Sequence, residues 1–132
     1  MKFARWVFLI AGIYGLLVIT PLYFMEGVIA KQTPPPITHP EFFYGFVGVA
    51  LACQILFLFV ASDPQRFRLM MLPSILEKIS YGIALLVLHQ QQRIPASSFR
   101  IGMVDWIWAL LFTISFIRTP QSSTWHERSD QK

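Results

Sequence analysis

Two carboxylic acids stand inside apolar runs of this chain, and they are the residues best placed to do chemistry. Glu77 lies within Ser74-Ile75-Leu76-Glu77-Lys78-Ile79-Ser80-Tyr81, and Asp105 precedes Trp106 and Trp108. A charge inside an apolar span is costly, so its default reading is functional. Helical rise puts Glu77 ~10 Å along its run. Tyr81 follows one turn later on the same face. Gln54 and Tyr14 reach the same level from neighbouring runs, so the four define a candidate polar layer for ligand binding. A carboxyl held there needs a donor or a proton. The competing reading is interfacial: Lys78 adjoins Glu77 and can carry its ammonium to the headgroups, and Pro73 can start the membrane part just before them. Asp105 lies ~7 Å into its own run. His39, Glu41 and His89 are expected near the same face, and two imidazoles with carboxylates suit metal binding or proton relay. Their spacing is not diagnostic, so no metal site is assigned. The alternative has Asp105 in a helical first turn favoured by the dipole, Glu41 as a cap and both histidines wet. Trp6, Tyr44, Trp106 and Trp108 read as an interfacial aromatic belt.

The elements that must position these residues are four apolar runs, Phe3–Met25, Phe42–Ala61, Leu69–Leu88 and Ile101–Ile117. Each is near the ~20 residues that cross a bilayer core as a helix. Of the 132 residues only 14% are charged, against about a quarter in a soluble domain, and most of those lie between the runs. The expected fold is all-α: a polytopic membrane protein with a four-transmembrane-helix bundle over residues 1–120 and a polar, mobile tail over 121–132. Gly12 and Gly15 in the first run, and Gly45, Gly48 and Ala52 in the second, are candidate helix-packing positions, with Gly48 and Ala52 in small-xxx-small register.

The punctuation agrees with this division. Pro21 should kink or end the first helix, and Pro34-Pro35-Pro36 predicts a stiff extended connection. Thr38 and Glu41 have capping-box spacing, with Pro40 in the first turn. Asp63-Pro64 and Arg118-Thr119-Pro120 close the second and fourth spans. Met1–Arg5, followed by an apolar stretch and by Val28 and Ala30, also has the outline of a secretory signal. The stretch exceeds the 7–15 residues of a signal core, so a retained helix is expected. Cys53 is the only cysteine, which excludes an internal disulfide or a CxxC metal motif, and it reads as an inert thiol. The net charge of +4 comes from scattered Lys and Arg with no basic stripe, so no nucleic-acid partner is expected. Seven basic residues (Lys2, Arg5, Arg66, Arg68, Arg118, Arg128 and Lys132) fall on one side against Lys31, Arg93 and Arg100 on the other. The positive-inside rule then predicts both termini in the cytoplasm, and the expected location is the inner (plasma) membrane.

The block Pro40-Glu41-Phe42-Phe43-Tyr44-Gly45-Phe46, the run Leu72-Pro73-Ser74-Ile75-Leu76-Glu77-Lys78-Ile79-Ser80-Tyr81-Gly82, and Asp105 in the last span resemble a class of small, mostly uncharacterised bacterial inner-membrane proteins. The layout is similar to DoxX-like four-helix proteins and, more distantly, to the EXPERA fold, whose sterol isomerases and sterol-binding members use membrane-embedded carboxyl groups. The EXPERA pattern of paired acids with a helper His and Trp is not matched residue by residue. The resemblance therefore implies an architecture and a lipid-side carboxyl, and no catalytic assignment. Two functions are carried forward. One is a non-enzymatic accessory or assembly subunit of a membrane complex, partnered by other subunits or by itself. The other is a binder or isomerase of an apolar lipid-like ligand, using Glu77. Membrane lipids are partners in either case, and no cofactor is expected. A small proton or solute carrier is disfavoured by the lack of repeats and broken helix pairs.

Overall fold

The computed structural model describes residues 1–121; the polar tail expected from Gln121 onward lies almost wholly outside the described residues. The described chain is helical, without strands. It runs α1 (Lys2–Ile19), a 3-10 turn (Thr20–Phe24), α2 (Glu26–Gln32), α3 (Pro40–Ser62), a short 3-10 turn (Arg68–Met70), α4 (Met71–Gln90), α5 (Ala96–Gly102) and α6 (Val104–Arg118). Four apolar segments result, Lys2–Phe24, Pro40–Ser62, Arg68–Gln90 and Ala96–Arg118, each 23 residues long and apolar enough to cross a membrane.

Proline shapes these segments as the chain predicts in some places and not in others. Pro21 tightens the end of α1 into the 3-10 turn without stopping it. Pro40 opens α3 at its first turn, where a missing N–H costs nothing. Thr38 is not the cap: His39 occupies that position with no side-chain cap bond, and Glu41 instead meets His39 Nδ1 at 3.2 Å. The Pro34–Pro36 run is not uniformly extended, because the chain bends over residues 33–35. Pro73 does not interrupt the third span. It sits in the first turn of α4, among N–H groups that lack helical partners anyway. The third span therefore reaches back to Arg68.

The fourth span also starts earlier than expected. Ser97, Ser98 and Arg100 belong to α5, and Pro95 stands before it in extended geometry. A break at Met103 separates α5 from α6. Gln92 closes α4 in left-handed geometry at φ 57°. Arg93 N–H donates to Leu88 O and Gln92 N–H to His89 O, both at 2.9 Å, which is a Schellman closure with glutamine where glycine is usual.

The helices pack as two pairs, α1 along α3 and α4 along α6, and α1 against α6 joins the pairs, whereas α3 and α4 share little contact. The end of the bundle that holds the start of α1 and the end of α6 is solid. Phe8 stacks on Phe112 with centroids 4.2 Å apart, and Phe57 meets Phe112 edge-on at 4.9 Å. Ala4, Ala11 and Ala61 let the helices close on these rings. Arg5 donates to Ser62 O at 3.0 Å and Arg68 to Thr119 O at 2.7 Å, tying the same end together. Between lipids and apolar side chains there is little hydrophobic drive, so such packing and hydrogen bonding must hold the bundle.

Candidate functional site

The other half of the bundle is hollow. A cavity of about 950 Å³ lies between α1, α3, α4 and α6, with parts of α2 and α5 at its far end. Its walls are mainly apolar and aromatic. Tyr14, Phe42, Phe46, Tyr81 and Trp108 line it, and the acids Glu41, Glu77 and Asp105 face a single base, Lys78.

Lys78 organises the polar wall. It is 8% exposed, and it lies near the middle of the Arg68–Gln90 segment. Its Nζ stands 3.1 Å from Glu77 Oε2 and 3.1 Å from Asp105 Oδ1, and donates to Glu77 Oε1 at 3.3 Å. On its inner side Nζ lies 5.5 Å from the centre of the Phe57 ring, where the solid core ends. Glu77 Oε2 is within ionic reach of Nζ but off the line of a hydrogen bond, so it is matched in charge and not in hydrogen-bond geometry. The Trp108 indole Nε1–H is also buried without an acceptor.

This arrangement revises the sequence expectations. Lys78 does not reach for the headgroups but is the bridge between two acids on different helices. Glu77 is not in a first turn at the membrane surface, because the span begins nine residues earlier at Arg68. Asp105 is in the first turn of α6, but that turn lies within the Ala96–Arg118 segment, so Asp105 joins Glu77 rather than an outer cluster.

The expected outer group does not assemble. His39 and Glu41 pair with each other at an exposed site. His89 stacks on Phe99 with ring centres 4.1 Å apart, its Nδ1 buried and without a partner. Among the described residues no group of three or more His, Cys, Asp or Glu could hold a metal ion.

The expected polar layer is brought together around the cavity. Gln54 is 2% exposed and donates from Nε2 to Ala50 O at 2.9 Å. Tyr14 lies against Trp108 at 6.0 Å, and Tyr81 against Phe46 at 5.8 Å. Cys53, a free thiol, is a wall residue.

The small residues divide. A Cβ on Gly12 would meet Leu58 at 2.7 Å, and one on Gly15 would run into the Gln54 side chain, so these two let α1 approach α3. Gly48 faces the Tyr23 hydroxyl at 3.3 Å. Gly45 lines the cavity with nothing within 4 Å of a Cβ, and Ala52 is exposed. Neither of these last two packs a helix. Gly82 takes over that role on α4, where Trp106 would stand 2.8 Å from a Cβ.

The residue that sequence reasoning missed is Lys78. The available signal was charge balance: Glu77 and Asp105 both lie within apolar spans, and the cation nearest the middle of a span is Lys78. No protein-family model, curated protein or solved structure matches the chain.

Proposed function

We propose that this protein binds a lipid-like amphiphile inside its transmembrane bundle, with the polar end of the ligand at Glu77, Lys78 and Asp105 and its apolar body between α3 and α4. The cavity carries this conclusion. Its volume is at the upper end of the roughly 300–1,000 Å³ typical of small-molecule sites, and such sites are mostly apolar with a few convergent polar groups. An ion bridge buried at mid-span is costly to build, and here it stands in the one wall where a ligand headgroup would need partners. Glu77 and Trp108 both line the cavity, and each keeps one buried polar atom without a hydrogen-bond partner. The reading is of binding, with Glu77, Lys78 and Asp105 placed to hold a polar end of the ligand.

Accessory-subunit partnership fits the apolar outer sides of the four spans, but lipid covers such sides equally well. The basic asymmetry supports a bacterial inner-membrane location with both termini in the cytoplasm. To test the binding reading, wild type, Glu77→Gln and Gly45→Phe are purified from native membrane and their retained small lipids compared by mass spectrometry. A Cβ at Gly45 meets nothing within 4 Å, so Gly45→Phe adds its ring from an open point of the cavity wall. A species retained by wild type and lost from both variants is expected. Identical lipid profiles in all three would sink the proposal.

A further inference from the structure

We propose that the ligand reaches this cavity sideways from the bilayer, through the seam between α3 and α4, and that the stacked rings of Phe46 and Tyr81 form the gate. The inference rests on the binding reading above and adds the route and the source, a molecule dissolved in the membrane. The other neighbouring helix pairs around the cavity are in closer contact: Gly12 and Gly15 draw α1 onto α3, Gly82 holds Trp106 between α4 and α6, and α1 meets α6 through Tyr14 and Trp108. Between α3 and α4 the contact is sparse. Lys78 meets the Phe57 ring where the solid core ends, and beside the cavity the seam is spanned by a ring pair, Phe46 on α3 and Tyr81 on α4, with centroids 5.8 Å apart and planes at 25°.

Both rings line the cavity and both reach the outer surface, at 44% and 39% exposure. Phe42 and Val49, one turn to either side on α3, likewise combine a place in the wall with a place on the surface. The opening therefore lies on an apolar, lipid-facing flank.

The water-facing end of the cavity is built differently. Ile29, Gln32 and Thr33, from α2 and its exit, roof it. That roof is tied to α3 by the Tyr44 hydroxyl, which donates to Glu26 Oε2 at 2.7 Å, while Tyr23 stacks on Tyr44 at 6.1 Å. The closed end is thus fastened by a charge-assisted hydrogen bond, and the lateral seam only by ring contact.

The test uses full-length protein in phosphatidylcholine nanodiscs, with Trp6, Trp106 and Trp125 replaced by Phe so that Trp108 alone reports from the cavity wall. The probe is 11-bromo-1-undecanol added through the bilayer, and the readout is the rate and final extent of Trp108 quenching by stopped flow. Phe46→Ala should speed quenching about fivefold, the rate equivalent of one lost aromatic pair, with the final extent unchanged. Phe46→Cys/Tyr81→Cys in a Cys53→Ala background, bridged by a short bifunctional thiol reagent, should slow it by a similar factor or more. Glu26→Gln/Tyr44→Phe, which unfastens the roof, should leave the rate alone.

A rate that follows the roof variant and ignores both seam variants overturns the lateral route while leaving binding intact. A rate that none of the variants changes does the same. If Gly45→Phe quenches as fully as the parent protein, the probe is not in the cavity, and the binding reading falls together with the gate.

Discussion

Replacing Lys78 by methionine removes the only cation on the cavity wall while keeping the length of the side chain. Two legs of 3.1 Å from Nζ cannot separate the Glu77 and Asp105 oxygens by more than about 6 Å. At an effective dielectric of about 20, two unshielded carboxylates at that distance repel by ~3 kcal/mol, and each lost leg removes an attraction of ~5 kcal/mol. Those gross terms are offset by the ammonium's own desolvation, which methionine does not suffer, and by protonation of one acid. Single-partner removal from a buried ion pair costs ~3–5 kcal/mol on balance, and Lys78→Met should fall in that range. The triple change Glu77→Gln/Lys78→Met/Asp105→Asn removes all three charges and should recover most of the loss, since a neutral wall needs no counter-charge. Unfolding in mixed micelles by SDS titration, followed by tryptophan fluorescence, measures both. A Lys78→Met protein within ~0.5 kcal/mol of wild type, or a triple variant weaker than Lys78→Met, would show that the bridge does not hold α4 to α6.

The same titration checks three further expectations. Gly15→Ala drives a methyl into the Gln54 side chain and should cost ~1–3 kcal/mol by overpacking, whereas Gly45→Ala meets open space and should be neutral or stabilising by up to ~1 kcal/mol; equal effects would refute the packing assignment. Phe8→Ala opens the centre of the three-ring core and should cost ~3–5 kcal/mol, with Phe42→Ala near silent as the control. Gln92→Gly relieves a left-handed residue and should stabilise by ~1 kcal/mol, which a lower midpoint would contradict. Reporter fusions at Gln32, Gln65, Gln92 and the C-terminus address orientation separately: cytoplasmic signals are expected at Gln65 and the C-terminus only.

The four helices were legible in the chain because hydropathy over about 20 residues is a strong, local signal. Their ends were less so. Pro73 and Pro95 both invite a boundary, but a proline within the first turn breaks no bond, and Pro95 is the N-cap of α5, so the helix starts directly after it. The consequence at the site falls on Asp105: the third span starts within one residue of the expected Leu69 and leaves Glu77 at its expected depth, whereas a fourth span starting at Ala96 rather than Ile101 carries Asp105 toward the middle. The grouping of Tyr14, Gln54, Glu77 and Tyr81 followed from helical rise alone. The bridge did not, because whether a lysine snorkels or turns inward depends on which neighbour its face meets, and Asp105 is 27 positions away in sequence. The small residues illustrate the same limit. Gly-rich spacing marks a close approach somewhere, yet Gly45 and Ala52 meet no helix while Gly82 does.

The bridge also constrains how the chain is made. Glu77 and Lys78 are consecutive, so the third span enters the bilayer already neutral as a pair. Asp105 has no such companion on its own span and would cross alone at a cost of about 2.5–3.5 kcal/mol. Only five residues separate α4 from α5, too few for the fourth span to wander before meeting the third. The two spans are therefore expected to enter lipid as one hairpin, with the lysine of the first serving as counter-ion for the second.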